Sequence, residues 1–347
     1  MPKRARVQMR PVRKLRGPDG FTLIEMMVAM VLGVVVILGV CSVFIANLKS
    51  YSTNQALDDV QNESRIAFEL MSRDIRSAGM SGCNNTAPVA NILNNGPNGA
   101  GTKVWWADLG NAVKGYDSGG SDPAITSGFP ASASSVSSIE LVGGADTGLS
   151  VATDNETTQT ITFNETTSSL QAGDLLIVCD PNHTSVLQAT TYSSGSSLSI
   201  THSSTSGTPG NCSNGLGYPT VCTTSGQAYT FAANALVAQL NPVDWYVGEV
   251  PSGGTALYRI SLQPGTSGAT VTATSTEMVP NVTSMKISYL QSPGTTFGTA
   301  SSVTNWSLVT AVQVQLTMQS TSTNASVTST PISRTFTSTI AIRNRVL

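Results

Sequence analysis

Histidine is nearly missing from this chain, with His183 and His202 the only two in 347 residues. A His-centred triad is therefore possible only on paper. Both sit in polar, turn-like stretches that predict surface positions. No GxSxG, HExxH, P-loop or Rossmann signature occurs in a strand-to-helix context, which removes the commonest sequence grounds for an enzyme. No CxxC or HxxxH spacing supports zinc, and no cofactor or metal site is implied. Charge is also scarce, at 11%. After Met80 the chain is dominated by Ser, Thr, Gly and Asn, a composition that suits an exported, loop-rich β module better than a cytosolic enzyme. No internal repeat is evident.

What charge there is lies unevenly. Lys3, Arg4, Arg6, Arg10, Arg13, Lys14 and Arg16 crowd the first twenty residues, where Asp19 is the only acid, and the remainder carries a formal charge of −8. This basic leader abuts an apolar run, Phe21 to Ala46, in which Glu25 is the only ionisable carboxylate. A helix of that length crosses the ~30 Å hydrocarbon core. Basic residues ahead of a span hold that end in the cytoplasm and place the C-terminal mass outside. The leader is thus a topological signal and a poor nucleic-acid site. An ordinary signal peptide has a shorter apolar core followed by a small-x-small site. Here the small residue at the polarity boundary, Gly20, precedes the run, so a cut there leaves the span on the mature protein. Glu25 costs ~2.5 to 3.5 kcal/mol in the bilayer unless it finds a partner. Cleavage after Gly20 would create one, the new amine of Phe21, on the same chain or a neighbour.

Beyond Lys49, Leu57, Val60, Ala67, Met71, Ile75 and Ala78 recur at helical spacing with charged and amide residues between them. Gly79 marks a C-terminal stop. One helix over Phe21 to Ala78 would be a rod of about 87 Å. The chain divides into a leader (1–20), a span (21–48), an amphipathic stalk (49–79) and a β-rich exported head (80–347).

Strands are expected at Ser138 to Val142, Thr160 to Phe163, Asp174 to Cys179, Ser185 to Thr190, Leu198 to Thr201, Asp244 to Val250, Ala256 to Leu262, Met285 to Leu290, Leu308 to Met318 and Ile332 to Ile342. Val312, Val314, Leu316 and Met318 alternate with polar residues, giving one buried and one wet face. Asp180-Pro181-Asn182 is the clearest hairpin turn. The tracts 131–138, 193–208 and 319–330 read as exposed Ser/Thr-rich loops. The fold class is α+β, a long N-terminal helix packed on an antiparallel β head.

Cys41 lies in the span, while Cys83, Cys179, Cys212 and Cys222 lie in the head. Four cysteines in an oxidising compartment suggest two disulfides, with three connectivities open. Pairing Cys212 with Cys222 closes a short loop and leaves Cys83 with Cys179. Two further features are weighed. Asp117 to Asp122 could offer oxygens to Ca²⁺ but lacks the length and terminal Glu of an EF-hand loop, and reads as a solvated turn. Trp105-Trp106 could form an exposed binding surface, although packing on the stalk is the commoner fate of such a pair.

Gly20-Phe21-Thr22-Leu23-Ile24-Glu25 and the run behind it resemble the class III signal of type IV prepilins and type II secretion pseudopilins. The resemblance implies a pilin-like fold, cleavage after Gly20 and N-methylation of Phe21 by a prepilin peptidase, and a role for Glu25 in pairing with a neighbouring N-terminus during filament assembly. A narrower resemblance, to the PilW group of minor pilins, rests on Arg65 to Met80 with Gly82-Cys83, on Asp174 to Asp180, and on Phe336 to Arg345.

That group implies a non-enzymatic minor pilin in a priming complex at the pilus tip, serving adhesion or twitching motility. Its expected partners are the peptidase, other minor pilins, the major pilin and a tip adhesin. It would lie in the bacterial inner membrane before assembly, with its head periplasmic, and afterwards on the cell surface. Two rivals are a J-type pseudopilin, which shares the run Glu277 to Val282 ahead of a strand, and a membrane-anchored surface-binding protein that retains its leader.

Overall fold

A computed structural model describes residues 20–83, 87–133, 135–195, 197–263, 271–321 and 330–343. The basic leader with Asp19, Ser134, most of the tract 319–330, and Arg345 lie outside the described residues. The chain has one long helix and sixteen strands among those residues.

Helix α1 runs unbroken over Leu23–Ser77, 55 residues or about 82 Å. Every residue from 20 to 51 is exposed. Its distal half buries Ala56, Val60, Ser64, Ala67, Met71 and Ile75, a stripe at spacings of three and four. The stripe enters through Ala56, with Leu57 only half-buried. Below Ser77, Gly79 adopts φ +75°, a conformation that favours glycine, and its N–H donates to the Val142 carbonyl at 2.7 Å. On the facing turn, a Cβ at Gly143 would lie 2.4 Å from the Ser77 carbonyl oxygen. Two glycines thus let the helix end close against the head.

The largest sheet joins β1 (Val89–Asn91), β7 (Thr184–Gln188), β6 (Leu175–Cys179), β10 (Leu236–Leu240), β4 (Gly144–Asn155), β5 (Thr160–Phe163), β9 (Leu198–Thr201) and β8 (Thr191–Ser194), in that order. Only β1 and β7 run parallel in it. A five-stranded sheet follows the order β13 (Thr272–Pro280), β12 (Thr255–Gln263), β11 (Val243–Glu249), β3 (Ser138–Leu141), β2 (Val113–Tyr116). A third comprises β14 (Val282–Gln291), β15 (Val309–Gln319) and β16 (Ser333–Ala341).

The helix docks on the second and third sheets. Val60, Ala67, Met71 and Ile75 share one core with Ile139, Trp245, Leu257, Met285, Val312 and Leu316. The alternating Val312, Val314, Leu316 and Met318 of β15 are all buried, with Gln313 and Gln315 on the wet face. A separate core, with Ile161, Phe163, Leu176, Val178 and Leu187, lies on the large sheet. The β6–β7 hairpin turns where Asp180 is placed, its carboxylate accepting the N–H groups of Asn182 at 2.8 Å and His183 at 2.9 Å.

Two disulfides tie the head. Cys83–Cys179 fastens the segment just after the helix to β6, and Cys212–Cys222 closes a loop of ten. Cys41 is free and exposed on the apolar half of α1.

Several expectations fail here for identifiable reasons. His183 and His202 are buried. His183 bonds the Leu216 carbonyl at 2.7 Å and lies against Tyr229 with ring centroids 4.1 Å apart. Burial pushes the His202 imidazole down to about 4, so it stays neutral. The 131–138 tract is a loop up to Ser138, which opens β3, but it is not exposed throughout, since Val136, Ser137 and Ser138 are buried. Trp105 and Trp106 form a 3₁₀ turn against other parts of the head, away from the helix core.

Candidate functional site

The N-terminal end of α1 is built from very few residues. Gly20 and Phe21 precede the helix in non-helical backbone and are exposed, Phe21 at 89%. Thr22 is the N-cap. Its hydroxyl accepts the Glu25 N–H at 3.3 Å, while the Glu25 carboxylate accepts the Thr22 N–H and hydroxyl, each at 2.9 Å. This is a reciprocal capping box, in which two otherwise orphaned helix donors are satisfied by a Thr and a Glu three residues apart. The Thr-x-x-Glu spacing is visible in the sequence and signals this cap, a role for Glu25 that the charge-pairing expectation leaves out.

The structure thus places Gly20 and Phe21 immediately ahead of the first helical turn, which carries Glu25. Behind them, residues from Leu23 to Leu48 present bare apolar side chains, among them Met30, Val36, Leu38 and Phe44, all more than half exposed. The helix is long and apolar enough to cross a membrane. Apolar surface of that extent needs lipid or protein to cover it.

At its far end the same helix is locked to the head. The Asp74 carboxylate accepts Arg259 Nε at 2.8 Å and Trp245 Nε1 at 3.0 Å through one oxygen. The Glu63 carboxyl lies beside Asn281 at the bend between β13 and β14, and burial raises its affinity for a proton. The helix is thereby divided into a half that the head holds and a half that it leaves bare.

The head also contains a buried cluster of acids that the sequence did not reveal. Cross-strand pairing sets Asp244 of β11 opposite Glu140 of β3, and Glu140 opposite Lys114 of β2. Asp122 joins them from the preceding connection, accepting Ala124 N–H at 2.8 Å and the Ser138 hydroxyl. Glu140 takes one bond from the Tyr116 hydroxyl at 3.2 Å. Neither Asp244 oxygen has an N–H or O–H donor within hydrogen-bonding geometry among the described residues. Burial, reinforced by the neighbouring acids, lifts Glu140 to about 8 and Asp244 well above its ordinary value, and burial raises Asp122 as well. Carboxyls that keep their protons in this way can donate to one another.

The Asp117 to Asp122 turn gathers no set of cation ligands. Asp117 accepts the Ala300 and Ser301 N–H groups, each at 2.9 Å, while Asp122 turns inward to the trio. Among the described residues no group of three or more His, Cys, Asp or Glu side chains is arranged to hold a metal.

Comparison with known families gives two matches. Residues 16–40 match the prokaryotic N-terminal methylation motif. Residues 244–344 match type IV pilus-assembly protein W, a segment that begins in β11 and runs through β16, and so includes the strands on which the helix docks. No curated protein and no solved structure matches the chain. A methylation motif on a bare apolar helix and an assembly-protein match on the strands that hold that helix together support a PilW-like pilin of the type IV pilus.

Proposed function

We propose that this chain is a minor pilin, cut by a prepilin peptidase after Gly20, N-methylated at Phe21, and then moved from the inner membrane into the core of a pilus, at or near its tip. The observation that carries the reading is the division of α1. Its first half is exposed and apolar from Leu23 to Leu48, while its second half is fixed to the head through Met71, Ile75 and Asp74. A simple anchor needs the first half only. A helix that continues for another eight turns and is clamped by the head transmits the head's position to whatever surrounds the apolar half.

In this reading the first environment is lipid, with the basic leader in the cytoplasm and the head in the periplasm. The second is a bundle of like helices from other minor pilins and the major pilin. Gly33 and Gly39, where nothing lies within 4 Å of an added Cβ, leave room for close helix approach. Glu25 then exchanges its capping contacts for the methylated amine of a neighbour. A tip location suits the three-sheet head, which is easier to seat at the end of a filament than in its repeat. There it primes assembly, serves adhesion or twitching, and contacts a tip adhesin.

Sequencing the N-terminus of the mature protein from a strain with an active prepilin peptidase tests the processing step. The expected first residue is methylated Phe21. Retention of Met1, or a cut after Ala46 or later, would reject the prepilin reading and favour a permanently anchored surface protein. Immunogold labelling of sheared pili tests the location, with label confined to filament ends as the expected result.

A further inference from the structure

Three of the four tryptophans in the chain, Trp105, Trp106 and Trp306, line a single cleft of about 630 Å³. The fourth, Trp245, is fully buried in the helix-docking core. The cleft lies on the opposite face of the five-stranded sheet. Along β2 and β3, Val113 and Ile139 point toward the helix, while Lys114 and Glu140 alternate with them and line the cleft. Docking of α1 therefore leaves this face to the head's own connections, with Trp105, Ile125 and Phe129 packed over part of it and the cleft beside them.

The rings are partly exposed yet held in place. Trp105 packs on the cluster around Ala124 and Tyr246, and Trp106 on the one around Leu93 and Ala107. Trp306 meets Tyr289 edge-on, with centroids 4.9 Å apart at 82°. Such rings need little ordering on binding, which lowers the entropic cost of a ligand. Polar groups converge beside them: Asn95, Asn111, Lys103 and Lys114. Two acids, Asp108 and Glu140, also line it, and burial holds Glu140 toward its protonated, uncharged form. A concave site of this volume, in which three indoles and small apolar side chains are interleaved with polar groups, has the form of a small-ligand site.

We propose that the cleft binds a neutral oligosaccharide, whose sugar rings stack their C–H faces on the indoles and whose hydroxyls bond Asn111 and Lys114. The balance of charge selects this class. The lysines repel the cationic ligands that aromatic cages otherwise favour. A chain carrying −8 beyond its leader repels polyanions, and two lysines are too few to offset that for a nucleic acid. The assignment does not depend on where in a pilus the protein sits.

The full chain, purified in a detergent without a sugar headgroup, is titrated with cellohexaose, maltohexaose and chitohexaose while tryptophan fluorescence and heat are recorded. At least one should bind with a Kd near or below ~1 mM, about −4 kcal/mol. Trp106→Ala should weaken it at least tenfold. Because Trp106 is partly packed, Lys114→Gln on the exposed rim serves as the second variant, with an unchanged melting curve and at least threefold weaker binding. Absence of binding by all three sugars would overturn the proposal. So would binding that neither variant weakens, or a preference for a single-stranded oligothymidylate over every sugar.

Discussion

The Asp74 carboxylate on α1 receives Arg259 Nε from β12 at 2.8 Å, across 185 positions of sequence, and the pair is mostly buried, with side chains 11% and 23% exposed. Trp245 Nε1 donates to the same oxygen. One acid thus joins the helix to two strands. Removing it strands a guanidinium and an indole N–H in a place that water reaches poorly.

Asp74→Ala should therefore destabilise the head by about 1 to 3 kcal/mol. Adding Arg259→Ala should cost less than the sum of the two single changes, because the second removes the stranded charge. Denaturant melts of the four proteins in this cycle measure it, and strict additivity would show that the pair is not coupled.

The acid trio gives stability a sign with pH. Glu140 and Asp244 hold their protons more tightly in the folded head than in the unfolded chain. Their contribution is whole below the ordinary carboxylate range and is lost as pH rises through it, for Glu140 until about 8, where the folded group also ionises. Each group can contribute a slope of at most about 1.4 kcal/mol per pH unit. The head should melt higher at pH 5 than at pH 8. Glu140→Gln should flatten that dependence and raise the melting temperature at pH 8. Melts across pH 4.5 to 8.5 check both, and a flat wild-type profile would contradict the buried, proton-sharing trio.

The two disulfides should differ in worth. Cys83–Cys179 spans 96 positions and Cys212–Cys222 spans 10. The chain-entropy relation gives about 4.7 and about 2.7 kcal/mol respectively. Double serine variants, compared by urea midpoint, should rank in that order. The long one should also loosen the junction at Gly82, which hydrogen exchange of the Gly79 N–H would detect.

Glu25 has a capping role and a proposed charge role, and two substitutions separate them. Glu25→Gln keeps an acceptor for the Thr22 donors seen at 2.9 Å but removes the charge. Thr22→Ala removes the hydroxyl that accepts the Glu25 N–H and leaves the charge. The loss of the cap should cost about 1 kcal/mol of local helix stability. If the charge pairs with a neighbour's amine, Glu25→Gln should insert in the membrane normally yet enter pili poorly, whereas Thr22→Ala should enter them nearly as well as wild type. Equal incorporation of all three, scored on sheared pili, would leave Glu25 with its capping role alone.

Patterns that repeat over a few residues were legible before any coordinates. The β15 alternation, the β6–β7 turn at Asp180, and the glycine stop at Gly79 all appear where local rules place them. Six strands escaped the sequence reading, and their composition explains why. Strand β13 lies at a sheet edge with most residues exposed, so it needs no apolar period. Strand β4 buries only Leu149 and Val151 among twelve residues. Strands β1, β2, β8 and β10 span only three to five residues each.

By itself the sequence determined an apolar run behind a basic stretch, its lone acid, an amphipathic continuation and a β-rich head, because each is a matter of composition or short period. Only the tertiary structure decided that Asp74 meets Arg259, that Asp122, Glu140 and Asp244 share one buried space, and that Trp306 joins Trp105 and Trp106 in one cleft. Those groups are brought together by strand pairing and register, which are set by the packing of the whole core and leave no spacing in the chain to read.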